Sequence, residues 1–144
     1  MKALKWWLWV VGIFYVLEGG GLTLLRIADP EQAAAMWTAT QEIGVLDPIA
    51  VQAILIPSLF VTLSWLVLGA LLLYFTRAPA RAGVLVVVVV ALELFAWMPL
   101  DTVTLSYGWS PARSISLLVV HLVIAGTGIL ALRASRAART AAGG

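Results

Sequence analysis

The stretch Arg81-Ala-Gly-Val-Leu-Val-Val-Val-Val-Val-Ala-Leu-Glu-Leu-Phe-Ala-Trp-Met-Pro-Leu-Asp101 decides the fold. A helix of ~20 apolar residues crosses the hydrocarbon of a bilayer, and this run is that long. It nevertheless carries a carboxylate, Glu93, well inside, where a charge costs at least a few kcal/mol. In a regular helix Glu93, Trp97 and Asp101 fall at i, i+4 and i+8, so one face presents an acid, an indole and a second acid. Other helices have to supply what meets that face.

The rest of the chain fits the same solvent. Its 144 residues are 62% hydrophobic and 11% charged, with a mean hydropathy of +1.04. No soluble domain of this size buries that much apolar surface, which marks an integral membrane protein. A formal charge of +2 is too small to point to nucleic acid. Without cysteine there is no disulfide frame, thiolate metal site or thiol nucleophile. One histidine excludes a multi-His metal cluster within the chain, and no cofactor motif occurs. The expected metal and cofactor content is therefore none.

Four hydrophobic segments, roughly 6–25, 50–76, 82–100 and 113–132, are each long enough to span as a helix that satisfies its own backbone. The expected fold is all-α, a single antiparallel bundle of four transmembrane helices over residues 1–144. The start of the chain is read as a retained first span rather than a cleaved leader, because no small-x-small site follows it. Asp29-Pro30-Glu31-Gln32 signals a helix start and Gly44 a stop. A short surface helix is thus expected over about 30–43, with a frayed basic tail over 134–144.

Orientation follows from the basic residues. Lys2, Lys5, Arg77, Arg81, Arg133, Arg136 and Arg139 are seven of the nine cations, and alternating spans put all seven on one side. That side is expected to be cytoplasmic, with both termini there. Trp6, Trp7 and Trp9 at that interface, and Trp37 and Trp109 at the other, read as belt indoles. Trp65 and Trp97 lie deeper.

Counting ~1.5 Å per residue from the helix ends puts Glu18 and Glu93 ~16–18 Å above the inner boundary and His121 ~12 Å below the outer one. In a core ~30 Å thick these levels coincide. Gln52, Ser58 and Thr62 fall in the outer half of the second span, beside Pro57, and Asp101 lies above. The inner halves of all four spans are nearly featureless. The sequence therefore predicts an outer-leaflet cavity floored by Glu18, Glu93 and His121 and capped from above by Asp101. Tyr15, Trp97 and Trp65 would wall it, and a surface helix around Trp37 would close it. Titratable groups held there suit proton transfer. The plainer reading is that the polar contacts only hold helices together, each worth ~0.6–2 kcal/mol. Gly19-Gly20-Gly21, Gly126 and Gly128 read as points of close helix approach, and Pro99 as a kink that tilts Asp101.

Lys5-Trp-Trp-Leu-Trp-Val-Val-Gly-Ile-Phe-Tyr15, Arg77-Ala-Pro-Ala-Arg81, Glu93 with Asp101, Tyr107-Gly108, and His121 through Thr127-Gly128 to Ala131-Leu-Arg133 together resemble the BphX-like small membrane proteins of bacteria. The resemblance covers most of the chain. It implies a four-span bundle in a bacterial inner membrane and no particular activity. A looser likeness of arrangement, without a shared motif, is to the EXPERA-type sterol isomerases.

Two functions are compatible with these residues. One is a pocket for a small apolar or amphiphilic molecule with acid–base chemistry: isomerisation, cyclisation or epoxide opening. Glu93 and Glu18 would be its donor or acceptor, His121 their partner, Asp101 a second acid, and Trp97 a stacking wall. The other is a non-enzymatic accessory subunit or small homo-oligomeric transporter, with the polar groups facing a neighbour. The lipid bilayer is the expected partner in both.

Overall fold

The computed structural model describes residues 1–37, 48–106 and 111–143. The fold class is all-α: α1 Lys2–Ala28, α2 Pro30–Trp37, α3 Pro48–Phe75, α4 Gly83–Leu92, α5 Met98–Ser106 and α6 Pro111–Gly143, with no strand among the described residues. A five-residue π turn, Glu93–Trp97, joins α4 to α5. A 3-10 turn, Pro79–Arg81, follows α3. Four segments are long and apolar enough to cross a membrane: Lys2–Ala28, Leu55–Phe75, Gly83–Val103 and Ser114–Ala141. This is a membrane protein of the expected four-span, all-α class.

The chain divides into two compact units, one of Met1–Ile13 with Leu71–Gly144 and the other of Phe14–Ala70. In the first unit α1, α4 and α6 each bury a seam at helical spacing. On α1 it is Leu4, Trp7, Leu8 and Val11. On α4 it is Val86 and Val89, continued by Glu93. On α6 it is Ser114, His121, Ile124, Ala125, Ala131 and Ser135. Gly128 lies on that last seam because nothing larger fits. A Cβ there would come within 2.9 Å of both the Trp7 indole and the Val90 side chain.

The second unit is built around α1 and α3. Tyr15 and Arg26 are buried on α1, and Ser58, Thr62 and Trp65 on α3. Gly19 sets their separation, since a Cβ on it would meet Leu66 N and Thr62 O at 2.6 Å. Gly21 and Gly126 have open space instead, so close approach accounts for Gly19 and Gly128 and not for those two.

Local chemistry fixes the ends. The Asp29 carboxylate accepts the Gln32 N–H at 2.9 Å, capping α2 as its sequence predicts. The surface helix expected over 30–43 is α2; its continuation, and the side chain of Trp37, lie outside the described residues. The tail expected to fray is instead helical to Gly143. Alanine and arginine dominate residues 131–142, and both favour helix. Ser135 and Ala131 anchor this extension by being buried.

Candidate functional site

Glu93 reaches the core because it sits one helical turn beyond Val89 on the buried seam of α4, and its side chain is fully enclosed. His121 reaches it from α6 and is 3% exposed. Their contact joins the imidazole Nδ1 to a Glu93 carboxylate oxygen. The imidazole Nε2 stands 2.8 Å from an Asp101 carboxylate oxygen. One ring is thus held between two acids. Asp101 is the member with an outlet, its side chain being 14% exposed.

The π turn makes this arrangement possible. Eight residues of regular α-helix rotate about 800°, leaving Asp101 about 80° away from Glu93. The turn accommodates one extra residue, shown by the Met98 N–H bonding to the Glu93 carbonyl five residues back. The two acids then behave as seven steps apart, about 20° from alignment. Pro99 supplies a physical reason for the widening, because in a tight helix its ring meets the carbonyl four residues earlier. The kink expected at Pro99 is therefore a π turn just ahead of it. Trp97, half-buried, closes that turn.

For a proton to lie in each of the two contacts on this imidazole, two protons are needed among three groups. They can be imidazolium with two carboxylates, or neutral imidazole with one carboxylic acid and one carboxylate. The net charge is −1 in either case. A proton can therefore move within the set without changing its charge, the kind of transfer a low-dielectric interior penalises least.

Glu18, expected to join this cluster, is on the exposed face of α1. Its height along the span was the basis of that expectation, and height does not fix the face. Gln52 is also exposed. Ser58 and Thr62 belong to a different network within the second unit. The Arg26 Nε donates to Ser58 Oγ at 2.9 Å and its Nη1 to the Leu22 carbonyl at 2.7 Å. The Thr23 hydroxyl donates to Thr62 Oγ1 at 3.1 Å. Tyr15 and Trp65 stack with centroids 6.2 Å apart and planes 11° from parallel, which makes them core aromatics of that unit.

Two residues carry more than their sequence reading gave them. Arg26, just past the first expected span of 6–25, is buried. Its spacing from Tyr15, Gly19 and Thr23 puts it on the seam of α1, a periodicity visible in the sequence. Trp7 is buried rather than a belt indole, its N–H shared between the Ile124 carbonyl at 3.2 Å and Thr127 Oγ1 at 3.1 Å. Trp6 and Trp9, off that seam, are exposed. Compared with protein-family models, curated proteins and solved structures, the chain matches none.

Proposed function

We propose that this protein carries out acid–base chemistry inside the membrane on a small apolar or lipid-like molecule, with Asp101, His121 and Glu93 as its proton-handling set. The observation that supports this reading is the imidazole held between two carboxylates within apolar spans. Asp101, at the outlet, is the group a ligand would meet, giving a proton to it or taking one from it. His121 would pass that proton inward or return it. Glu93, sealed in the core, would orient the ring and balance its charge, a positioning role rather than a catalytic one. Trp97, on the turn between the two acids, would stack against the ligand. Isomerisation, cyclisation or epoxide opening fits a set that moves protons alone. We place the protein in a bacterial inner membrane with its basic helix ends in the cytoplasm, as its charge pattern and resemblance imply.

The test uses purified protein and its native lipid extract in D₂O. The reading expects deuterium to enter one small molecule of the extract, at a rate falling ~10²–10⁴-fold in Asp101→Asn. Exchange that is absent, or equal in the variant, would overturn it.

A second reading draws on Glu18. A carboxylate exposed within an apolar span calls for a neighbour, which favours the accessory-subunit or small-transporter alternative for this acid. Cross-linking of a cysteine introduced at Leu17, on the same exposed face, would report a second copy there.

A further inference from the structure

The first unit has a strongly charged end that the proton-handling set does not use. Val90 touching the Gly128 position and Glu93 touching His121 show that α4 and α6 run in opposite directions. Measured from the Val90–Gly128 level at ~1.5 Å per residue, Arg81 lies ~13 Å and Arg136 ~12 Å toward the same end. Arg133 and Arg139 flank that height on α6, Arg77 precedes Arg81 in the turn, and Lys2 and Lys5 occupy the first turns of α1. All seven side chains are exposed. The only acids in this unit are Glu93 and Asp101, both committed to His121. Seven cations in a unit whose two acids are both engaged with His121 repel one another, and the helical tail holds three of them in place instead of letting them disperse.

Four of the cations also stand at the head of an exposed apolar strip. Arg81 leads to Val84 and Val88 on α4, and Arg133 is one turn from Leu130 and Ile129 on α6. Lys2 and Lys5 adjoin Trp6 and Trp9. A free anion or an acidic polypeptide matches the charges but leaves these strips uncovered. A molecule with a phosphate head and hydrocarbon chains matches both.

We propose that this end of the first unit is a seat for anionic phospholipid, with phosphate held by Arg81, Arg133, Arg136 and Arg139 and acyl chains laid along Val84, Val88 and Leu130. Basic residues next to a bilayer attract anionic lipid strongly enough to register in competition, and arginine pairs with phosphate through two parallel N–H bonds.

The full chain would be reconstituted in bilayers of equal phosphatidylcholine and phosphatidylglycerol, released into detergent, and its retained lipids counted by native mass spectrometry. Phosphatidylglycerol should exceed phosphatidylcholine about tenfold or more. The triple change R133Q/R136Q/R139Q should remove most of that preference, while R133K/R136K/R139K, which keeps the charges, should retain much of it. Equal retention of the two lipids, or an undiminished preference in a Gln variant with wild-type helicity, would overturn the proposal. Displacement of phosphatidylglycerol by inorganic phosphate alone would overturn it as well, because the site would then be one for free anions.

Discussion

Each unit buries one polar network, and the two differ in kind. The first holds Glu93, His121 and Asp101, three groups that can each gain or lose a proton. Among the described residues the second joins Arg26, a guanidinium that stays protonated in proteins, to the hydroxyls of Ser58, Thr62 and Thr23. Ser58 and Thr62 also bond backward, to the Leu55 carbonyl at 2.9 Å and the Ser58 carbonyl at 3.2 Å. The second network is thus tied in part to its own backbone and holds α1 to α3. The first links three titratable side chains to one another, and its protons can move. Burial by itself does not mark a functional site; the titratable content of the burial does.

Substitutions can break or sharpen that contrast. The largest effect is expected for His121→Ala, which leaves two carboxylates facing a vacated ring; removing one partner from a buried charged set costs ~3–5 kcal/mol. Denaturant or thermal unfolding in detergent would measure it, and the loss should shrink markedly in the triple variant with Glu93→Gln and Asp101→Asn. Next comes Gly19→Ala. Its new methyl meets backbone atoms that cannot turn aside, costing ~1–3 kcal/mol, whereas Gly128→Ala meets side chains and should cost less. Ser58→Ala removes the acceptor of a buried guanidinium N–H, for ~1–3 kcal/mol. Unlike Asp101→Asn, it should leave ligand proton exchange unchanged per folded molecule. Trp7→Phe, which loses one shared N–H bond, is the smallest of the set at ~1 kcal/mol. It is read as a shift in unfolding midpoint with no change in exchange.

How far the sequence announced this contrast depends on the kind of inference. The all-α, four-span class follows from the long apolar runs, because lipid leaves the backbone no alternative to a helix there. The shared height of Glu93 and His121 follows from counting residues. Counting gives height and not azimuth, which is why Glu18 was placed with them although it faces outward. The Asp101–His121 contact depends on a π turn, and nothing in a residue count reports one. The belt reading of Trp7 rests on the habit of its residue type, while the places of Trp7 and Arg26 on the α1 seam, shared with Leu4 and Leu8 and with Tyr15 and Gly19, point inward. The helical tail follows from the helix propensity of alanine and arginine, which the expectation of fraying leaves out.

His121 is the one histidine of the chain, so selective ¹⁵N-histidine labelling reports a single imidazole. The magnetic resonance spectrum of both ring nitrogens, in wild type, Glu93→Gln and Asp101→Asn, tests the central arrangement most directly. Both nitrogens should be hydrogen-bonded and slow to exchange with water, Nδ1 shifting mainly in Glu93→Gln and Nε2 mainly in Asp101→Asn. A ring in free exchange with water, its two nitrogens indifferent to both substitutions, would contradict the account.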